Sequence, residues 1–368
     1  MHLYLHVPFC TAKCPYCDFN SVAGREAEYA PYVDALLTEV CRLPRGPYTT
    51  IFIGGGTPSI LPHALLERLL AGLRDHLLLA PDYEWTCEAN PGSADAEKFR
   101  IMADHGVNRL SLGVQSTHAK HLSFLGRVHD ARQADVALAA ARAAVPRVSA
   151  DLIMGLPDQT LDELRIDLEL YRRHDLAHAS VYHLAYEPGT EFHARLNRGE
   201  LAEISPETSQ AYFNALWSGL EALGLTLYET SNFARPGHEA RHNLAYWRQR
   251  DYHAAGAGAV STIGDRRMTR EKHSGRYIEA ISSGGDAAWK IETLTSADHL
   301  AETWMLGLRL GEGVLISDLA TRGDHEGRWR PLVDSLVGIG LLDERDGRIQ
   351  LTRSGRPVQD EVTVQLLP

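Results

Sequence analysis

The chain has 368 residues, 44% hydrophobic and 23% charged, the proportions of a soluble globular protein with room for one large domain and a smaller one. Its net charge of −11 argues against a nucleic-acid partner held through phosphate contacts, and no apolar run is long enough to insert stably in a membrane. Five cysteines make no disulfide framework, and a first strand at residues 2–7 leaves no place for a signal peptide, so the chain reads as cytoplasmic.

Short apolar runs alternate with amphipathic stretches through the first two-thirds of the chain, the pattern of a parallel α/β sheet or barrel. Strands are predicted at residues 2–7, 50–54, 83–88, 109–113, 147–153 and 180–184, with helices at 29–41, 64–76, 93–105, 131–143 and 161–173. Six such units predict an α/β fold built on a partial (βα)6 TIM-like barrel, two units short of the full eight. Residues 1–200 form this core in our reading. Residues 201–294 extend it with a helix at 206–223 and a Gly/Ala-rich stretch at 254–261. From residue 295 the pattern changes to helices at 297–310, 316–322 and 328–338, then a hairpin at 341–351 with an Asp-Gly turn, a small winged-helix-like domain. It has no concentrated basic face, which favours packing or partner contact over binding to DNA.

Cys10, Cys14 and Cys17 follow the first strand directly. Three thiols are one short of a zinc site, Cys41 and Cys87 are remote in sequence, and a disulfide would leave one thiol over. A cubane iron–sulfur cluster with three thiolates keeps one iron open to a chelating small molecule. The CxxxCxxC spacing, with Tyr16 before the last cysteine, resembles the cluster loop of the radical S-adenosylmethionine superfamily. In α/β barrels ligands meet the C-terminal ends of the strands. Those positions here hold Gly54-Gly55-Gly56-Thr57-Pro58, Glu88, Gln115 and Asp151, a convergence of polar groups that a plain core would not carry. Bare glycine carbonyls and the Thr57 hydroxyl suit the amino group of S-adenosylmethionine, and the Glu88 carboxylate suits the ribose hydroxyls. Arg127 suits the methionine carboxylate and Tyr4 a pocket wall. Each also has a plain structural reading: a tight turn for the glycines, a cap or ion pair for Glu88, a surface ion pair for Arg127 and core packing for Tyr4.

Tyr4–Cys10, the GGGTP turn, Glu88-Ala-Asn-Pro, Leu112-Gly-Val-Gln-Ser, Asp151-Leu-Ile-Met-Gly-Leu-Pro and residues 182–189 together resemble the oxygen-independent coproporphyrinogen III oxidase group of that superfamily, from about residue 2 to residue 360. The resemblance implies a [4Fe–4S] cluster on Cys10, Cys14 and Cys17, with Tyr4, Gly55, Gly56, Thr57, Glu88, Gln115, Arg127 and Asp151 around S-adenosylmethionine. Two departures set the chain apart from the oxidases. They carry a further cysteine where this chain has Phe19, and a long N-terminal extension where this chain has nine residues before Cys10. Arg241-His-Asn-Leu-Ala-Tyr-Trp247 instead matches the HNxxYW mark of the HemW-type haem chaperones. That resemblance implies haem as cargo, His242 as its axial ligand in place of a hydrogen-bonded loop histidine, and delivery to apo-haemoproteins such as respiratory enzymes. It leaves room for a homodimer in the loaded state. The alternatives are the oxidative decarboxylase itself and another radical S-adenosylmethionine enzyme such as a methyltransferase.

Overall fold

The computed structural model describes residues 1–322, 324 and 327–367. Its first half runs β1 (His2–Val7), α1 (Tyr29–Val40), β2 (Tyr48–Gly55), α2 (His63–His76), β3 (Leu79–Ala89), α3 (Ala96–Asp104), β4 (Arg109–Gln115), α4 (Ala131–Ala144), β5 (Arg147–Met154), α5 (Leu161–Arg173) and β6 (His178–His183). The six strands pair in chain order, all parallel. Alternation along each strand divides its side chains between two faces. Leu3, Leu5, Ile51, Ile53, Trp85, Leu110, Leu112 and Ala150 are buried with the apolar stripes of the helices in one continuous core. The intervening positions put His2, Tyr4, Thr50, Glu84, Glu88, Arg109, Ser111 and Asp151 on the other, concave face. Local signals set the helix starts. Thr160 and Glu163 form a capping box on α5, as do Asp130 and Gln133 on α4. Helix α3 begins three residues later than the sequence pattern suggests, because the Asp95 side chain caps the Lys98 amide and Asn90 closes a turn onto Gly92.

The region after β6 adds more sheet than its composition predicts. Following α6 (Pro206–Glu221) come β7 (Thr226–Glu229), β8 (Asn232–Ala234), α7 (Arg241–Trp247), β9 (Tyr252–Ala255), β10 (Val260–Ile263), β11 (Arg266–Arg270), α8 (Ser274–Ser282) and β12 (Ala288–Thr293). Strand β8 lies antiparallel on β6, whereas β9 joins the free edge of β1 in parallel. The complete sheet has twelve strands in the order β12-β11-β10-β9-β1-β2-β3-β4-β5-β6-β8-β7. The Gly/Ala-rich stretch is thus the seventh parallel strand and its exit; small residues there let Gly256 lie against the His6 carbonyl and the Tyr32 hydroxyl, where a Cβ would clash.

Helix α7 closes the N-terminal end of the concave face. The His242 amide donates to Glu84 Oε1 (3.1 Å), and its Nδ1 meets Thr50 Oγ1 at 2.7 Å. Glu84 pairs with Arg109 (3.0 Å), whose guanidinium also reaches the carbonyls of His238 and Glu239 just ahead of α7. These groups all sit near the starts of their strands, so the helix is bolted across the base.

Helix α9 (Ser296–Gly307) leads into β13 (Val314–Leu315), α10 (Ile316–Thr321), α11 (Arg330–Gly338), β14 (Leu342–Arg345), β15 (Arg348–Leu351) and α12 (Gln359–Leu366). Here Trp304, Leu308, Val333, Leu336, Ile349 and Val362 form a second, separate core. The expected hairpin is present as β14–β15, turned through Asp346 and Gly347, both at positive φ (51° and 71°).

Candidate functional site at the barrel mouth

A cavity of about 330 Å³ lies at the C-terminal ends of β1 to β6, and residues following all six strands line it. Cys10, Cys14 and Cys17 form one wall, on the loop that leaves β1. A two-residue strand, Phe9–Cys10, anchors this loop by pairing with Val22–Ala23. The Cys14 carbonyl accepts from the Cys17 amide (3.1 Å), which draws the loop into a turn. All three thiols are partly exposed, whereas Cys87 is buried and Cys41 is on the surface. Among the described residues no three His, Cys, Asp or Glu side chains close around a single ion. A cubane takes its thiolates at separate corners, so the wider spread of this loop suits a cluster.

The glycine turn after β2 forms the next wall. The Gly56 and Thr57 amides donate to the carbonyls of Val7 (2.8 Å) and Phe9 (2.7 Å), which seals the turn to the cysteine loop. Gly55 is at φ +106°, and a Cβ there would lie 2.3 Å from the His6 ring; one on Gly56 would lie 2.6 Å from the Phe9 carbonyl. Thr57 Oγ1 is 3.5 Å from the Cys10 sulfur. These glycines are sterically required, and their backbone is left bare to the cavity.

Opposite stand two half-buried carboxyl groups, Glu88 and Asp151. Glu88 accepts the Gly55 amide at Oε2 (3.1 Å), while Oε1 takes no hydrogen bond among the described residues. Burial, reinforced by the nearby Asp151 charge, pushes its pKa up to about 8. Burial likewise raises Asp151 to about 6, against the opposing hydrogen bond from the Ser111 hydroxyl (2.9 Å). Arg127 reaches in from the loop before α4. It donates to the Gly113 carbonyl (2.8 Å) and lies 3.6 Å from the Cys14 sulfur and 3.5 Å from the Tyr16 hydroxyl, while its buried Nε has no partner. Gln115 ends β4 at φ +69° with its side chain in the cavity. Thiols, bare backbone, a cation and two carboxyls short of donors make a site suited to a zwitterionic ligand bearing hydroxyls next to a metal cluster.

Every residue anticipated for this site lines the cavity except Tyr4 and His242. Tyr4 lies one layer deeper, its hydroxyl 3.0 Å from His6 Nδ1, in a smaller cavity shared with Gly55, Glu88, Tyr246 and Tyr252. His242 is at the opposite end of the barrel, 1% exposed, with Nδ1 on Thr50 and Nε2 2.9 Å from the Tyr246 hydroxyl. Burial lowers its pKa to about 3. In this conformation neither ring nitrogen is open to an iron. Other cavity residues escaped sequence reasoning. Ser111 orients Asp151, Gly113 holds Arg127, and Tyr182 and His183 end β6. The strand-end rule covers the β6 pair; the other two depend on cross-strand register.

The chain matches the Radical SAM superfamily over residues 4–171 and the HemN C-terminal domain over residues 294–358. It is 34% identical to the heme chaperone HemW of Bacillus subtilis, covering 98% of this chain and 97% of that one. With the heme chaperone HemW of Escherichia coli the identity is 36%, over 97% and 95% of the two chains. The solved structure of coproporphyrinogen III oxidase (HemN) from Escherichia coli superimposes with a TM-score of 0.84 at 25% identity, covering 99% of this chain and 89% of that one.

Proposed function

This chain belongs to the HemW family of the radical SAM superfamily, and we propose that it binds haem and delivers it to apo-haemoproteins. The near-full-length similarity to haem chaperones, through both the barrel and the C-terminal domain, carries this reading. Cys10, Cys14 and Cys17 would hold a [4Fe–4S] cluster, and the rest of the mouth S-adenosylmethionine. Bound there, the two supply one-electron chemistry at a cleavable sulfonium. The protein's own part is to position. Glu88, with Oε1 unpaired among the described residues, is set to accept ribose hydroxyls, and Arg127, beside the Cys14 sulfur and on the cavity wall, is placed for a carboxylate. Asp151 and Gln115 complete the polar wall, and Gly55 and Gly56 leave room for close backbone contact. Tyr4, behind Glu88, backs this wall. Ligation of haem by His242 would require α7 to release both ring nitrogens first.

A second reading, decarboxylation of coproporphyrinogen III, is favoured by the fold shared with HemN. One preparation separates the two. After anaerobic reconstitution with iron and sulfide, added haem should give a stoichiometric Soret band. Coproporphyrinogen III with S-adenosylmethionine and reductant should yield no protoporphyrinogen. Robust turnover without haem binding would reverse the assignment.

A further inference from the structure

A larger cavity, about 900 Å³, shares no lining residue with the mouth and lies between the C-terminal end of α7, the β10–β11 hairpin and α9. Tyr246 and Trp247, the last two residues of the HNxxYW segment, form its inner wall, and Tyr252 stacks edge-on against Tyr246 with ring centroids 4.5 Å apart. Met305 and Leu306 add apolar surface from α9. Gln249, at φ +51° just beyond α7, ties the two sides together: its side chain donates to the His299 carbonyl (3.3 Å) and accepts from Thr303 Oγ1 (3.2 Å).

The charges around the rim are unevenly satisfied. All three carboxylates are engaged, Asp251 by the Gly264 amide (2.9 Å), Asp265 by His299 (2.8 Å) and Glu302 by Arg267 (2.7 Å). Of the three arginines, Arg250 and Arg322 have no carboxylate partner among the described residues. Two guanidiniums without a carboxylate partner, beside an aromatic and thioether-lined hollow, suit a flat apolar molecule with two carboxylates. An imidazole stands at the same rim. His299 Nε2 lies 2.8 Å from Asp265 Oδ1, and Nδ1 accepts from Arg322 (3.2 Å). Metal-bound imidazoles commonly give one N–H to such a carboxylate. The partners of His299 are an aspartate whose side chain is 74% exposed and an arginine, both at the rim. Those of His242 are the buried Thr50 hydroxyl and the Tyr246 hydroxyl.

We propose, building on the haem-chaperone reading, that haem is carried in this second cavity, with its propionates on Arg250 and Arg322 and its iron on His299. On this assignment His242 is a positioning residue. Its Nε2 holds the Tyr246 hydroxyl and so fixes the aromatic wall, while the base of the barrel holds His242.

Titration of the purified full chain with haem, haem dimethyl ester and metal-free protoporphyrin IX tests each part. The double variant Arg250→Glu/Arg322→Glu should lose at least tenfold in affinity for haem but little for the dimethyl ester, which has no carboxylates. His299→Ala should shift the Soret maximum of bound ferric haem while leaving affinity for metal-free protoporphyrin unchanged. His242→Gln, which keeps polar atoms on both sides of the side chain, should leave the Soret maximum in place. Wild-type binding of haem combined with an unmoved spectrum in His299→Ala, or with full haem affinity in the arginine variant, overturns the site and leaves the chaperone reading intact. So does a Soret shift confined to the His242 variant. Failure of the wild-type protein to bind haem at all overturns the chaperone reading itself. Circular dichroism confirms that each variant is folded.

Discussion

The two ends of the barrel carry polar side chains on the same strands, yet they are opposites energetically. At the base the charged and ring groups are matched, Thr50 with His242, Glu84 with Arg109, and Ser149 with His178 at 2.8 Å, although the Thr86 hydroxyl between the two ends has no partner among the described residues. At the mouth Glu88 and Asp151 are half-buried and face the cavity with few protein donors, and loss of surrounding water raises both pKa values. Glu84 and Glu88 lie four residues apart on one face of β3, so a single strand makes the contrast. Buried polar atoms in a strand therefore do not by themselves mark a site. Those left short of partners where they face a cavity do, because the protein tolerates that deficit where a ligand can make it good.

The base should yield the largest effect on stability. Glu84→Gln removes the charge opposing Arg109, whose side chain is only 3% exposed, and leaves a guanidinium buried without its counter-ion. Loss of one partner from such a pair costs about 3–5 kcal/mol. Urea unfolding should show this in the midpoint, with S-adenosylmethionine affinity of the folded fraction unchanged. A loss below about 1 kcal/mol would mean that the pair contributes no more than a surface bridge.

The same substitution at the mouth should act in the opposite direction. The Glu88 pKa is raised on folding from 4.5 to about 8, so its contribution to stability is complete below pH 4.5 and is lost as pH rises through 8. Over that window the ligand-free wild-type protein should lose a few kcal/mol (each pKa unit is about 1.4 kcal/mol), and Glu88→Gln should abolish most of the loss. Thermal melts at pH 5 and pH 8.5 should thus find the variant more stable than wild type only at the higher pH. Binding should move the other way: loss of a charged acceptor weakens S-adenosylmethionine by roughly 1.5–3 kcal/mol, about ten- to hundredfold by calorimetry. A variant that is destabilised at both pH values, with unaltered affinity, would make Glu88 a base-type residue.

Much of the mouth was legible in the sequence because its parts are local. Cys10, Cys14 and Cys17 fall within eight residues, and the strand-end rule finds Glu88, Gln115 and Asp151 once the βα alternation is seen. The six core strands were readable for the same reason. What was not readable depends on distant partners. Strand β9 has only four residues and is a strand because the edge of β1 accepts it some 250 residues away in sequence. Helix α7, for which the sequence pattern predicts no element, is held by Glu84 and Arg109 more than by its own propensity, since its seven residues are too few to be helical alone. The same dependence hid the environment of His242. Its motif could be recognised from spacing, but that its ring faces Thr50 and Tyr246 follows only from where the helix docks.

The smallest expected effect falls on Phe19, the position at which the sequence resemblance implies a cysteine in the decarboxylases. Its side chain is 59% exposed and borders both the mouth cavity and the smaller one behind Glu88. Phe19→Cys removes little buried surface, so stability should change by no more than about 0.5 kcal/mol. It should also fail to confer decarboxylation of coproporphyrinogen III. A decarboxylase must exclude water from its reacting centre and substrate together, and a small thiol in place of a side chain 59% exposed adds no cover there. The assay is protoporphyrinogen formation by the reconstituted variant beside wild type. Measurable turnover in Phe19→Cys alone would show that one side chain separates carrier from enzyme at this mouth.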